Sequence, residues 1–321
     1  MKALRFDSDE TTYVKALIYG KPGTGKTTMG VSAPKPLILL SERQGMTHIL
    51  QAAREFGHRP IGVLFMSDLA DYRAVLRTLI LATRNPAMRS GPFIVKGSEG
   101  ETLFESDEWP ETIVLDSVTD ACRLVDAQIM AESPPKLGKD NLPVNSERYW
   151  SVLRDRCEKL IRGFRDIDFH VLYLCLEDDR TIGEGEEAER KVGPALPMRS
   201  LPDTIAAAVN VVGVMSRRIQ RGEGEAKIDY IVRTVGPQWY LLKPFRPLRD
   251  TEVPNFSEWI RRITNPEAIP VPEFLSDEAS PSVSPDKTPP VPKVRPRSRP
   301  RSAVATPLKT SDDKKVSDDN V

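Results

Sequence analysis

A chain of 321 residues is long enough for one large domain or two small ones, and its 39% hydrophobic and 29% charged residues are typical of a soluble protein. Lysine plus arginine and aspartate plus glutamate number 46 each, so the net charge is zero and does not indicate a nucleic-acid-binding protein. The three cysteines have no metal-ligand spacing, which argues against a zinc site or a disulfide framework and fits a reducing cytosol.

The N-terminal segment MKALRFDSDE carries charges where a signal peptide needs apolar residues. Further along, no apolar run approaches the roughly 18 residues of a membrane span. We therefore expect a cytoplasmic protein without a membrane contact.

Residues 1–264 alternate short apolar runs with helical stretches, a pattern that predicts one α/β domain with a mostly parallel sheet. The predicted central strands are Tyr13–Tyr19, Pro36–Leu40, Ile61–Met66, Thr112–Leu115 and Phe169–Leu176. Helices are predicted at Thr27–Ser32, at Met46–Phe56, after the third strand as far as Leu81, and at Val118–Met130, Arg148–Phe164 and Pro254–Arg262. Asn85–Pro110 is predicted to be a polar excursion and Ser133–Asn145 a proline-rich one. Asn210–Met215, Asp229–Arg233 and Trp239–Leu242 are predicted to be antiparallel strands that complete the sheet.

A phosphate-binding motif lies between the first predicted strand and the first predicted helix. The residues Gly20-Lys21-Pro22-Gly23-Thr24-Gly25-Lys26-Thr27 match G-x-x-x-x-G-K-[ST] in full, and Thr28 follows them. Glycines allow the backbone to bring its N–H groups against phosphate oxygens, and the next helix points its positive end at the same place. Lys26 is expected to reach the β- and γ-phosphates of ATP, and the Thr27 hydroxyl to bind Mg²⁺. The alternative is a glycine-rich turn without a function.

An acidic residue ends the fourth predicted strand. The apolar run from Thr112 to Leu115 is followed by Asp116, and a magnesium site beside a P-loop needs a carboxylate at the end of a neighbouring strand. Asp116 is therefore predicted to be the second magnesium group, known as the Walker B residue. The alternative is that Asp116 caps the next helix.

Four segments together resemble the phage-type RecA-like ATPases: GKPGTGKT, LILLSERQG, TIVLDSVTDA and HVLYLCLE. Members of this group are often described as AAA-family ATP-binding proteins and are associated with single-strand annealing and recombination. The resemblance covers about residues 12–262. It implies a RecA-like P-loop fold, ATP with Mg²⁺, a homo-oligomeric ring or filament with ATP between subunits, and single-stranded DNA as the partner.

The resemblance also implies a general base. Many P-loop ATPases place the glutamate that activates water directly after the Walker B aspartate, but here that position is Ser117. In RecA-like proteins the glutamate stands at the end of the strand that follows the P-loop helix, where this chain has Glu42. Glu42 is therefore the candidate general base, and its alternative is a solvated turn residue.

Two further roles are carried over from the family. RecA-like proteins end the strand after Walker B with a polar residue that senses the γ-phosphate. The candidate here is Glu177, a residue that would repel phosphate unless it works through water or metal. The family also tends to insert a basic pair from a late strand into the neighbour's ATP site, and Lys243 and Arg246 are the candidates here. The alternatives are a solvated strand end for Glu177 and a charge cluster for the basic pair.

Three segments are candidates for DNA contact. In RecA-like proteins the region of the charged loop Glu177–Val192 faces DNA, although this loop is also readable as a mobile solvated segment. The predicted hairpin tip at residues 217–221 has three arginines in five residues. The basic stretch Lys287–Arg301 could contact phosphates without sequence preference, or it could be a solubilising linker.

Residues 265–321 differ in composition from the rest of the chain. They hold 11 of the 28 prolines, one phenylalanine and neither tryptophan nor tyrosine, so they are predicted to be a disordered, charged tail. Such a tail could recruit replication or recombination proteins.

The leading functional hypothesis is a DNA-dependent ATPase in recombination or single-strand handling. The alternative is a nucleotide-gated scaffold that hydrolyses ATP slowly. A small-molecule kinase ranks last, because the mixed charges of the Glu177–Val192 loop make a poor substrate lid.

Overall fold

A computed structural model of the chain describes residues 12–57, 60–133, 147–182, 188–220 and 227–265. The chain divides into two units, Met1–Ile269 and Pro270–Val321, and all of the described residues lie in the first. Three predictions fall outside the described residues: the disordered tail apart from its first residue, its basic stretch Lys287–Arg301, and nearly all of the excursion at 133–145. Arg221, at the predicted hairpin tip, lies outside them as well.

Strands and helices alternate through most of the first unit. The strands are β1 (Lys15–Gly20), β2 (Pro36–Leu40), β3 (Gly62–Phe65), β4 (Phe93–Lys96), β5 (Thr102–Ser106), β6 (Thr112–Asp116), β7 (His170–Ile182), β8 (Glu189–Pro194), β9 (Val211–Gln220), β10 (Lys227–Arg233) and β11 (Thr251–Glu252). The helices are α1 (Lys26–Val31), α2 (Gly45–Phe56), α3 (Leu69–Arg84), α4 (Val118–Glu132), α5 (Glu147–Arg165), α6 (Leu201–Ala208) and α7 (Phe256–Thr264), with a 3-10 turn at Pro86–Ser90. Among these helices, none combines the length and apolarity needed to cross a membrane.

The main sheet has β1 at its centre. Its strand order is β11-β10-β9-β1-β7-β6-β2-β3. Strand β8 pairs with the C-terminal part of β7. β1 runs parallel to β7 and to β9, and β6 runs parallel to β7 and β2. The predicted α/β fold with a mostly parallel sheet and flanking helices is confirmed, and the carboxyl ends of β1, β2, β6 and β7 meet at one edge, where α/β sheets bind ligands.

Both faces of the sheet are covered, which explains why every residue of β1 is buried. Leu17 and Tyr19 face the core shared with α3, α4, α5 and α6. Ala16 and Ile18 face the opposite core, which is shared with α1, α2 and α7. Burial on two faces gives β1 a continuous apolar run in place of alternation.

Two predictions about the late strands need correction. The strand predicted at Asn210–Met215 pairs antiparallel with β10, as predicted, but it runs parallel to β1, with Ala16 opposite Val211 and Gly20 opposite Met215. Within the described residues 227–265, Trp239–Leu242 forms no strand and makes one isolated bridge, from Tyr240 to Val192. Apolar runs identify buried segments, but strand direction depends on the path of the chain between them, here the connection through α6.

Three other segments are more ordered than predicted. The predicted loop Glu177–Val192 is largely a hairpin, because β7 continues to Ile182 and runs antiparallel to β8. In this pairing Glu177 lies opposite Pro194, and Ile182 lies opposite Glu189. The excursion at Asn85–Pro110 contains the antiparallel pair β4–β5, and α6 was not predicted. The paired segments carry mainly charged residues, with Val192 and Pro194 buried at one end of β8, so they lack the apolar alternation that identifies a strand.

A neutral histidine at the start of β7 predicts sensitivity to acid. The Val14 N–H donates to His170 Nδ1 at 3.0 Å, and burial, followed by the Lys15 ammonium, lowers the pKa of His170 from 6.5 to about 4. The unfolded chain therefore binds more protons than the folded chain between pH 4 and 6.5. As a result, the free energy of unfolding decreases as the pH falls through that window. At pH 5 the loss amounts to about 2 kcal/mol.

We expect His170→Asn, which keeps an acceptor for Val14 but does not titrate, to remove about 2 kcal/mol of the difference in unfolding free energy between pH 7 and pH 5. Urea denaturation at the two pH values measures it. The exposed His48, changed to asparagine, is the control and should keep the wild-type difference. Equal differences in wild type and His170→Asn would contradict the assignment.

Candidate nucleotide-binding site

The loop after β1 has a backbone that requires glycine at three positions. Gly23 and Gly25 have φ of 73° and 90°, in the left-handed region that side chains disfavour. At Gly20 a Cβ atom would lie 2.4 Å from the main-chain oxygen of Met215 on the neighbouring strand β9. The buried Thr24 hydroxyl donates to the Lys21 carbonyl at 2.8 Å, while Pro22 is exposed. The motif glycines therefore serve loop conformation at two positions and close strand packing at the third.

Lys26 opens α1 and is 8% exposed. Its ammonium donates to the carbonyls of Gly20 at 2.8 Å and of Lys21 at 2.9 Å, so the side chain folds back over the loop. Burial lowers the pKa of Lys26, and the nearby Asp116 opposes that shift. An anion held by the loop would offset the cost of burying this charge.

Thr27 and Asp116 form the second part of the site. The Thr27 hydroxyl donates to Asp116 Oδ2 at 2.6 Å, joining α1 to the end of β6 across 89 residues of sequence. Burial raises the pKa of Asp116, while the Thr27 hydrogen bond and Lys26 oppose the shift. Thr28, the next residue of α1, is half-buried.

These oxygens fit magnesium. A hydroxyl and a carboxylate are the hard donors that Mg²⁺ prefers, and this ion usually takes its remaining ligands from phosphate and water. Across the described residues, no group of three or more His, Cys, Asp or Glu side chains could hold a metal ion. A site with the two donors Thr27 and Asp116 suits a cation that arrives with a phosphate group.

Glu42 lies at the same edge of the sheet. It is exposed and stands two residues after Leu40, which pairs with Asp116. Burial raises the pKa of Asp116 most, and the charges of Asp120 and then Glu42 add to that rise. The Ser41 N–H donates to the Asp116 carbonyl at 2.9 Å, and the Ser41 hydroxyl shares a 3.0 Å hydrogen bond with the buried Tyr72 of α3. The sequence offered no signal for this Tyr72 anchor, because a tyrosine on an amphipathic helix indicates only the core.

A cavity of about 350 Å³ opens beside the loop. Lys21 and Thr24 line it together with Glu177. Glu177 follows Leu176, the residue of β7 that pairs with Gly20. Arg217 and Arg233 add two positive charges to the lining. Glu177 is half-buried there, and Arg233 was missed because an arginine at a strand end is usually solvated.

The predicted basic pair lies elsewhere in the chain. The Lys243 ammonium donates to the carbonyls of Ala206 and Ala207 at 3.2 and 3.3 Å, and to that of Val209, at the end of α6. Lys243 also forms an isolated β-bridge with Val212. Val212 pairs with Leu17, which lies three residues, or about 10 Å, before the end of β1 where the phosphate loop begins. Arg246 is exposed. Within one chain Lys243 therefore does not join the P-loop, and a role for the pair at a neighbour's site stays a prediction.

The candidate DNA segments differ in their surroundings. On the β7–β8 hairpin, Arg180 pairs with Asp178 and Arg190 with Asp179, so each of these positive charges meets a carboxylate. On β9, Arg217 and Arg218 are both exposed beyond the edge at which Met215 pairs with Gly20. The strand β9 therefore presents one exposed arginine on each of its faces, with Arg218 across from Asp229 of β10.

Comparisons with known proteins give one family match. A protein family described as AAA domain matches residues 12–238 of this chain. A KaiC-like protein from the archaeon Pyrococcus horikoshii is 12% identical over 68% of this chain and 78% of its own, with a TM-score of 0.30. A prototypical ATPase from the type III secretion system of pathogenic bacteria is 15% identical over 63% of this chain and 51% of its own, with a TM-score of 0.34. No curated protein sequence matches the chain significantly.

Proposed function

We propose that this chain, which belongs to the AAA domain family of P-loop ATPases, is a Mg²⁺-dependent ATPase that single-stranded DNA stimulates. One observation carries the ATPase proposal. The 2.6 Å hydrogen bond between Thr27 and Asp116 brings the two predicted magnesium groups together beside the loop and Lys26. That arrangement suits a nucleoside triphosphate with its metal ion.

The side chains have separate tasks in this proposal. The loop N–H groups and the Lys26 ammonium hold the β- and γ-phosphates in place, and Thr27 with Asp116 holds the metal ion. A Mg²⁺ ion held by Thr27 and Asp116 would supply charge neutralisation at the phosphate group. Glu42, exposed at the same edge, accepts the proton of the attacking water.

We propose that DNA binds on the side of β9. The exposed Arg218 lies on the face of β9 opposite to that of Arg217, which lines the cavity beside the loop, and cations of this kind contact phosphates without reading sequence. The β7–β8 hairpin is less suitable, because its acidic residues Asp178 and Asp179 occupy two of its arginines.

Steady-state ATP hydrolysis by the full chain tests this function. We expect single-stranded DNA to raise the rate at least severalfold, double-stranded DNA to raise it less, and the effect to weaken with added salt because phosphate contacts release counterions. The variant Arg218→Glu should need more DNA for half-maximal stimulation. A low rate that ignores DNA would instead support the nucleotide-gated scaffold.

We also propose that the chain assembles into a homo-oligomer with ATP between subunits. The exposed Arg246 remains available to a neighbouring molecule, whereas Lys243 would first have to leave the carbonyls at the end of α6. Recruitment of replication or recombination proteins by residues 265–321 remains a proposal from composition.

A further inference from the structure

A partly exposed tyrosine lies against the phosphate loop. Tyr230 of β10 is 41% exposed, a large fraction for an aromatic residue beside a binding loop. A Cβ atom at Gly25 would lie 3.4 Å from Tyr230 Cδ1 and 3.0 Å from Met215 Cε. The ring and the thioether therefore pack against the last glycine of the loop, immediately before Lys26.

The position of Tyr230 in the sheet indicates which part of a nucleotide it would meet. Thr27 and Asp116 lie on the side of β1 that leads to β7, β6 and β2. Strand β10 lies on the other side, two strands or about 10 Å from β1. If the metal ion and the γ-phosphate lie on the β6 side of β1, the nucleoside end of the same molecule lies on the β10 side.

The face on which Tyr230 lies suits a flat apolar group. Residues two apart on a strand share a face, so Tyr230 lies between Val232, buried against Met215, and the exposed Ile228. Ile219, opposite Ile228 on β9, is 60% exposed. An apolar stripe, made of Val232, Tyr230 and Ile228, therefore runs along β10, while on β9 Arg217 lies opposite Tyr230, between Met215 and Ile219.

We infer that the ring of Tyr230 is the stacking platform for the base of the nucleotide whose phosphates the loop holds. The inference rests on the proposed function and extends it to a second part of the same site. Every base has a π-face, so stacking adds affinity for nucleosides over bare phosphate chains without choosing among bases. The other occupant that the stripe could take, a second copy of this chain, is an outcome of the test.

Calorimetric titration with ADP and with inorganic tripolyphosphate separates base binding from phosphate binding. For the full chain with Mg²⁺, we expect Tyr230→Ala to weaken ADP binding about tenfold or more, and tripolyphosphate binding less than twofold. Tyr230→Phe keeps the ring and should bind both ligands as the wild type does. Leu103→Ala, which removes an exposed apolar side chain from β5, is the control and should change neither affinity.

The other results each have a distinct meaning. If the wild type binds neither ligand, the proposed function fails and this inference with it. If the wild type binds both and Tyr230→Ala does as well, the inference alone is overturned. If Tyr230→Ala weakened the binding of both ligands equally, the role of Tyr230 would be to hold the loop in its conformation. A variant that changes self-association in sedimentation, with ADP affinity intact, would assign the stripe to a second copy of the chain.

Discussion

Replacing Glu42 with glutamine is expected to lower kcat for ATP hydrolysis by at least about 100-fold, because a positioned general base contributes roughly 100- to 10,000-fold. Glutamine keeps the size of the side chain but cannot take a proton from water. The exposed carboxylate lies just past β2, beside the strand that ends in Asp116, and the hydrogen bond of Ser41 to the Asp116 carbonyl holds that strand end in place. ATP affinity should stay within severalfold, since Glu42 does not belong to the phosphate loop.

The matched control is Glu55→Gln, the same change at an exposed position on α2. It should hydrolyse ATP at the wild-type rate. Steady-state kinetics give kcat, and titration with ATP gives the affinity of each variant. If Glu42→Gln retained more than about a third of the wild-type kcat, Glu42 would be a solvated turn residue and another group would have to activate water.

Replacing Lys26 with alanine is expected to weaken ATP binding by about two orders of magnitude, because hydrogen bonds to charged groups are worth about 1.5–3 kcal/mol and this one is buried. The ammonium is 8% exposed and is held over the loop by the carbonyls of Gly20 and Lys21. Burial lowers its pKa, so phosphates bound at the loop would stabilise its charged form.

Because Lys26→Ala also removes the ammonium that donates to the carbonyls of Gly20 and Lys21, urea denaturation must accompany the titration. Lys159→Ala, which removes an exposed lysine paired with Asp155 on α5, should match the wild type in both measurements. A folded Lys26→Ala protein that binds ATP with wild-type affinity would contradict the assignment of the loop. An unfolded variant would be replaced by Lys26→Met, which retains the aliphatic part of the side chain.

Local patterns predicted the elements on which the proposed chemistry depends. Strands β2 and β6 were placed to within a residue, since a short apolar run with covered faces is a strong signal for a buried parallel strand. The P-loop was recognisable because its function requires consecutive backbone positions, so Gly20, Gly25 and Lys26 must appear at fixed spacing. The charged β7–β8 hairpin and the β4–β5 pair left no comparable hydrophobic pattern, and both were missed.

The sequence by itself indicated the candidate nucleotide site of this protein, since the phosphate loop and the acidic strand end are each encoded by neighbouring residues. The tertiary structure alone decided which distant side chains meet: Tyr72 beneath Ser41, Lys243 on the end of α6, and Tyr230 against Gly25. It also decided that β9 runs parallel to β1. The physical reason is that strand order and register follow from packing among segments far apart in the chain, and a local pattern of apolar residues carries no information about which of those segments become neighbours.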